Sequence, residues 1–313
     1  MDSGYFSKIS YMKNYFLKHF GISKTIKGIF FYNYRILRRR FLDLSKEHIL
    51  NINGHKFATI PNDIGISEEL LMFHTHEPLS TKLLSPLLTD GMYCLDVGSN
   101  IGYYACLESN AVGNTGKVIS IEPSPINYKY LKKNIELQNM SNTEVYNFAC
   151  GNKNGEIQFL VSDRSNWSRV ATEKFIDAPP DAILQTINVP VKTIDLLIEE
   201  KSLQRLDFIR MDVEGYEVNI VEGMHQTLEK FKPLLHMEVH LFLLGISETK
   251  KLLQNIQKHG YEILYYIPRE MDVPILGTDN DIKIISFENL FHDLESDKLP
   301  MNFMLFMKPK KSI

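Results

Sequence analysis

Along its central part the chain alternates between short apolar runs and stretches whose apolar residues recur at helical spacing. Residues 92–95, 117–122, 143–149, 206–211 and 234–239 are runs of strand length bounded by turn residues, the pattern of buried strands. Between them, residues 103–112 and 127–139 predict helices. Val221, Met224, Leu228 and Phe231 predict one helix that buries this stripe against a sheet. Leu252, Leu253 and Ile256 mark another, with Gly260 as its left-handed stop. Thr193 is placed to cap a helix over residues 194–201. Strands alternating with helices predict an α/β, doubly wound, mostly parallel sheet covered on both faces. Residues 261–267, 282–286 and 302–307 predict further strands, the last two as an antiparallel edge.

The flanks are less regular. Residues 49–60 alternate loosely around Asn53-Gly54, a hairpin signal. A helix from about Glu68 and a short one carrying Leu79, Leu83, Leu84, Leu87 and Leu88 follow, with Pro86 disturbing the second. Residues 156–161 look hairpin-like and 189–191 form a short strand. Between them, residues 162–187 are polar and irregular, with Arg164, Trp167, Arg169 and Pro179-Pro180. A loop of that length is expected to be a substrate lid or wall, the alternative being plain surface disorder. The expected organisation is a basic, aromatic helical appendage (1–48), lead-in hairpin and helices covering a cleft (49–91), and a ligand-binding domain (92–313).

The appendage is where charge changes the picture. The whole chain of 313 residues has a net charge of only −3, but residues 1–42 hold nine Lys or Arg against one acid, Asp2. Tyr5, Ile9, Met12, Phe16 and Phe20 form a helical stripe, with Lys13 close to it. Residues 26–41 are rich in Phe and Tyr and close with Arg35, Arg38, Arg39 and Arg40. Two expectations stay open: a helical appendage packed on the core or on a second subunit in a homo-oligomer, and a peripheral membrane anchor. No recognised motif accompanies the basic run, so nucleic acid is not an expected partner. Cys94, Cys106 and Cys150 show no metal or redox spacing and read as buried apolar residues in a reducing, cytoplasmic setting. No run reaches the roughly 18–20 apolar residues that span a bilayer.

The candidate chemistry sits on the first core strand and its loop, Leu95-Asp96-Val97-Gly98-Ser99-Asn100-Ile101-Gly102. Glycines there allow a tight turn and close approach of a ligand. Glu122 ends the second strand, 20 residues beyond Gly102. A carboxylate in that place can accept both hydroxyls of a ribose. Two cofactors qualify, a nicotinamide dinucleotide and S-adenosylmethionine. The dinucleotide loop requires G-x-G-x-x-G, and here Asn100 and Tyr103 stand where its second and third glycines belong. Asp96 would repel a pyrophosphate and suits a cationic ligand, directly or through water. S-Adenosylmethionine is therefore the expected cofactor.

These residues, with Tyr103-Tyr104, Ile121-Glu122-Pro123, Met211-Asp212-Val213-Glu214-Gly215, Glu222-Gly223-Met224 and Glu238-Val239-His240, resemble the FkbM-type branch of class I S-adenosylmethionine-dependent methyltransferases. Asp63-Ile64-Gly65-Ile66-Ser67 and Glu77-Pro78 look like that family's lead-in. The resemblance covers roughly residues 55–245 and departs from the usual loop only at Ser99, where Ala is common. It implies a Rossmann-like, seven-stranded sheet with one reversed edge strand, and O-methylation of sugars, glycans or other small-molecule hydroxyls. It also implies that Asp96, Gly98 and Asn100 flank the methionine part of the cofactor, with Ser99 and Gly102 in the same cofactor-binding loop. Glu122 would then hold the ribose, and residues 147–150, with Asn147 and Ala149, would lie near the adenine.

An alcohol is a poor nucleophile, so a base or metal is expected near the methyl group. Asp212, Glu238 and His240 are the candidate catalytic residues, with Glu214 beside them. Glu238 and His240 share one face of an extended strand. Metal-free general-base catalysis, with His240 as base, is the favoured expectation. The alternative is a divalent ion held by Asp212, Glu238 and His240. Structural roles compete throughout: Asp212 and Glu214 as helix caps, His240 as a buried hydrogen-bonded residue, and His74 and His76 as local structure. The rival functions are a nicotinamide-dependent oxidoreductase and a non-catalytic binding protein on the same fold.

Overall fold

The computed structural model describes the backbone of residues 3–172 and 183–310, and their side chains from residue 13 onward. The chain runs α1 (Ser3–Arg39), β1 (Ile49–Ile52), β2 (His55–Ala58), α2 (Ile66–Phe73), α3 (Pro78–Leu84), β3 (Tyr93–Val97), α4 (Tyr103–Val112), β4 (Lys117–Ile121), α5 (Pro125–Leu137) and β5 (Thr143–Tyr146). An insertion follows: β6 (Ala149–Cys150), β7 (Gly155–Ser162), β8 (Arg169–Val170) and β9 (Ile183–Lys192). Then come α6 (Ile194–Glu200), β10 (Phe208–Met211), α7 (Glu217–Glu222), α8 (His225–Phe231), β11 (Leu234–Val239), α9 (Leu241–Lys258), β12 (Tyr261–Pro268), α10 (Phe287–Glu295) and β13 (Phe303–Pro309).

Seven strands form the main sheet in the order β12-β13-β11-β10-β3-β4-β5. β11, β10, β3, β4 and β5 are parallel. β13 runs antiparallel to both β11 and β12, so it is the one reversed strand, one place in from the edge. The sheet is the expected Rossmann-like, doubly wound one. The chain winds outward from β3 in one direction and returns to β10 on its other side. The β3/β10 boundary is therefore the topological switch point, where such sheets bind ligands.

Leu95, Val97, Ile209 and Met211 face one hydrophobic core, shared with α7 and α9. Cys94, Val118 and Phe208 face a second one, shared with Tyr103, Leu70 and Phe57 of the lead-in side. The two-residue period of a pleated strand separates these faces. All three cysteines are free and buried.

Several local expectations change. The stripe from Val221 to Phe231 breaks into α7 and α8 at Gly223. A Cβ there would lie 2.0 Å from the Gly151 carbonyl oxygen, so the chain must yield to the β6–β7 turn. Residues 282–286 form no strand; only Lys283 bridges to Tyr266, and β12 pairs with β13 instead. Residues 183–187, expected in a loop, begin the ten-residue β9, because β7 offers them a ladder. Pro179-Pro180 lies outside the described residues. Thr193 does cap α6, accepting from Leu196 N at 3.1 Å, and Gly260 has φ 80°.

α1 is broken at Gly21 (φ 75°). Phe16 and Phe31, from its two halves, are buried with Met271 and Leu276. Lys24 pairs with Asp281 at 2.6 Å, and Arg35 and Arg39 both pair with the buried Glu68. No helix among the described residues is long and apolar enough to cross a membrane.

Candidate active site

The loop after β3 is built against the end of β10. Gly98 has φ 83°, and a Cβ on it would lie 1.8 Å from the Asp212 carbonyl oxygen. Both the backbone angle and the close approach demand glycine. Gly98 N and Ser99 N donate to Ile121 O at 2.9 and 3.0 Å, tying the loop to β4. Ser99 Oγ donates to Asp96 O at 2.9 Å. Gly102, φ 88°, opens α4. Asn100 (φ 50°) donates its backbone N–H to Glu122 Oε2 at 2.8 Å, and Ser124 N donates to Glu122 Oε1 at 2.8 Å. Glu122 is thus fixed at the end of β4. Burial pushes its carboxyl up to about 7, partly offset by those two hydrogen bonds.

A cavity of about 570 Å³ opens here, lined by Gly98, Asn100, Glu122, Ala149 and Asp212 among others. Asn127, Phe159, Ser165 and Tyr216 also line it and were not singled out from the sequence. Asn127 Nδ2 donates to Ser165 O at 2.9 Å, so α5 clamps the insertion over this cavity. Asn147 does not line the cavity but sits beside two residues that do, Glu122 and Pro123. Its side chain is exposed and donates to Glu122 O and Pro123 O, at 2.8 and 3.0 Å, bracing the turn after β4. Asp96 does not line this cavity either. It is fully buried beneath the loop, with Oδ1 3.1 Å from Arg210 Nη1. Burial raises its pKa, against the pull of Arg210.

Arg210 was missed. A charge inside an otherwise apolar strand was its only signal. It bridges Asp96 and Asp212 (Nη2 to Oδ2, 2.9 Å) and stacks on Tyr104, with Cζ 4.0 Å from the ring centre.

A second cavity of about 780 Å³ adjoins the first. Gly98, Asn100, Asn166, Asp212 and Glu214 line both, and Glu238, Trp167, Arg269 and Asn302 line the second. Glu77 orders its far wall: it accepts from Tyr104 OH at 2.7 Å and pairs with Arg269 Nη2 at 3.1 Å and His76 Nε2 at 3.2 Å. His76 therefore lines this wall, whereas His74 is an exposed helix end with φ 53°. Arg164 stacks on Trp167 at 4.0 Å, and Arg169 Nη1 donates to Trp167 O at 3.3 Å. Those residues of the polar loop that are described thus form a wall.

The parallel register Met211↔Met237 carries Asp212 and Glu238 out at the same level. His240 lies behind them at the start of α9. Its Nδ1 is hydrogen-bonded to Glu217 Oε1 at 2.5 Å. Its Nε2 lies 3.4 Å from Glu214 Oε2, 3.5 Å from Glu238 Oε1 and 3.8 Å from Asp212 Oδ1. Burial alone would depress the His240 pKa; Glu214, Glu238 and Glu217 outweigh it and hold the pKa well above the ordinary imidazole value. Burial pushes Glu238 up to about 8, against the pull of His240. The three expected catalytic residues are therefore in one place.

A cavity at the switch point, with a carboxylate fixed at the end of β4, defines a fold that binds S-adenosylmethionine. Within that class the chain belongs to the FkbM methyltransferase family, whose domain matches residues 96–263. The chain is similar to Methyltransferase 1 of Beauveria bassiana, 22% identical over 148 residues, covering 43% of this chain and 59% of that protein. It is also similar to the hexuronic acid methyltransferase AglP of Haloferax volcanii, 26% identical over 149 residues, covering 46% and 54%. The matched part thus spans little more than half the length of these relatives. Among solved structures, an FkbM methyltransferase from Methylobacillus flagellatus aligns with 16% identity and a TM-score of 0.43, over 70% of this chain and 44% of that one.

Proposed function

We propose that the protein methylates a hydroxyl of a small, hydroxyl-rich acceptor of the sugar or glycan class, with S-adenosylmethionine as donor. One observation carries the acceptor class. Five buried polar atoms on residues lining the second cavity have no hydrogen-bond partner within the protein: Asn100 Oδ1, Tyr103 OH, Asn166 Oδ1, Arg210 Nε and Asn302 Oδ1. Buried polar groups without partners are costly, and a polyhydroxylated ligand can supply both donors and acceptors to them. Trp167 adds a flat apolar surface. The name of the archaeal relative, a hexuronic acid methyltransferase, points to the same class.

The residues fit the donor. Glu122 lines the first cavity as a candidate acceptor of ribose hydroxyls, and Glu214 brings a carboxylate that suits a cationic ligand to the boundary of the two cavities. When bound, S-adenosylmethionine supplies an electrophilic methyl group, whose transfer to the acceptor oxygen leaves a neutral thioether. The chain's own task is to hold the acceptor oxygen in line and take its proton. Asp212 and Glu238, with His240 behind them, stand where that proton is released. The loop argues against a nicotinamide cofactor, since Asn100 and Tyr103 stand where the second and third glycines of a dinucleotide loop belong.

The test is calorimetry with donor and with its demethylated product, followed by mass spectrometry of a panel of glycosides incubated with donor. Donor binding with a mass gain of one methyl on a sugar hydroxyl is expected. Binding without transfer to any acceptor would support a non-catalytic protein instead, and no binding would remove the reading altogether.

A further inference from the structure

We propose that Asp212, Glu238 and His240 form a site for one divalent cation of the manganese or magnesium type. Each carboxylate is divided between two neighbours. Asp212 gives Oδ2 to Arg210 and turns Oδ1 toward His240 Nε2. Glu238 turns Oε2 toward Arg269 Nε, 3.5 Å away, and Oε1 toward the same Nε2. His240 is 1% exposed, and its Nε2 has no hydrogen-bond partner, although it points into this acidic group. Glu217 holds the other ring nitrogen, an arrangement that orients an imidazole for a metal. One ligand atom from each of the three residues lies within 4.8 Å of the others. Ligands about 2.1 Å from a common octahedral ion are separated by about 3–4 Å, so the spacing needs little adjustment. Two carboxylates and one imidazole suit this class of ion. Asp212 and Glu238 line the second cavity, so the open coordination positions face the acceptor. A cation there would bind the acceptor hydroxyl and make it more acidic.

Only that last consequence rests on the methyltransferase reading; ion binding does not. Manganese(II) should therefore be titrated into the chelator-stripped full chain without donor or acceptor, with free ion followed by electron paramagnetic resonance. Saturation at one ion per chain is expected. Asp212→Asn, Glu238→Gln and His240→Gln should each weaken binding roughly tenfold or more, while Glu262→Gln, on the far edge strand, should not. Donor affinity and melting temperature show that each variant is folded. No saturable binding at about millimolar ion, or binding that survives all three substitutions, overturns the site.

A second inference rests on different residues. We infer that the outer face of α1 docks on an anionic membrane surface. Beyond Gly21, Ile22, Ile26, Phe30 and Leu37 recur at helical spacing along one face and are 57–70% exposed, with Phe41, 81% exposed, just past the helix. Lys27, Arg38 and Arg40 are exposed near this row and make no ion pair among the described residues. Lys24, Arg35 and Arg39, by contrast, are paired with core acids. An apolar row edged by unpaired cations matches acyl chains beneath anionic headgroups, and the same charge disfavours pairing with a second copy of this helix. The full chain should sediment with vesicles of phosphatidylcholine and phosphatidylglycerol, and not with phosphatidylcholine alone. The double variant Ile26→Glu, Phe30→Glu should abolish this while keeping the melting temperature. Absence of vesicle binding overturns the inference, as does a native dimer that the double variant splits.

Discussion

Donor binding should depend on pH through one residue, Glu122. Both of its oxygens are fixed by backbone N–H groups, from Asn100 and Ser124 at 2.8 Å, and its carboxyl titrates at about 7 because burial penalises the charge. Only the ionised form accepts hydrogen bonds from a ribose diol with both oxygens. A proton on Glu122 of the free protein therefore competes with the donor. With half-titration near 7, the ionised fraction is about 0.9 at about pH 8 and about 0.1 at about pH 6. The apparent Kd should thus weaken roughly tenfold over that interval, or about 1.4 kcal/mol, with most of the loss below neutrality. Calorimetry with the demethylated product, in buffers spanning this range, reads the effect without turnover. Glu122→Gln removes the titrating group. Its carboxamide nitrogen cannot accept, so either Asn100 N or Ser124 N loses its partner. The variant should bind weakly at every pH and show a flat profile. A native Kd that ignores pH, or a variant that keeps the slope, refutes the role given to Glu122.

Other substitutions separate packing from chemistry. Gly98→Ala places a Cβ 1.8 Å from Asp212 O in a backbone region that costs an L-residue about 1–2 kcal/mol before the clash is counted; donor binding should be lost in calorimetry, and native affinity would show that the loop is not held as described. Arg210→Met leaves the fully buried Asp96 without its cation, a change of the kind that costs about 3–5 kcal/mol; urea unfolding should show it, and an unchanged midpoint would mean Asp96 is neutral in the fold. Asp212→Asn and His240→Ala should each lower kcat at least about tenfold while leaving donor Kd nearly unchanged; unaltered turnover in both would remove these residues from the chemistry.

What the sequence alone determined is the part governed by local period and local backbone need. Runs of four to seven residues alternating with helical stripes are enough to imply a parallel sheet, because each run must be buried on both faces. Gly98 and Gly102 marked the loop because glycine adopts the positive φ that a tight turn needs at no steric cost. Asp212, Glu238 and His240 could be grouped because strand ends share one edge of such a sheet.

Only the tertiary structure decided what those groups meet. Asp96 faces Arg210 because β3 and β10 pair with these two residues in register, 114 positions apart in the chain. Glu77 orders the far wall of the second cavity only because α3 folds back onto Arg269, which lies far along the chain from it. The break at Gly223 answers to Gly151, and β9 begins at Ile183 because β7 lies beside it. In each case the deciding energy is a contact between segments far apart in sequence, and neither segment's own pattern encodes the distance at which they meet.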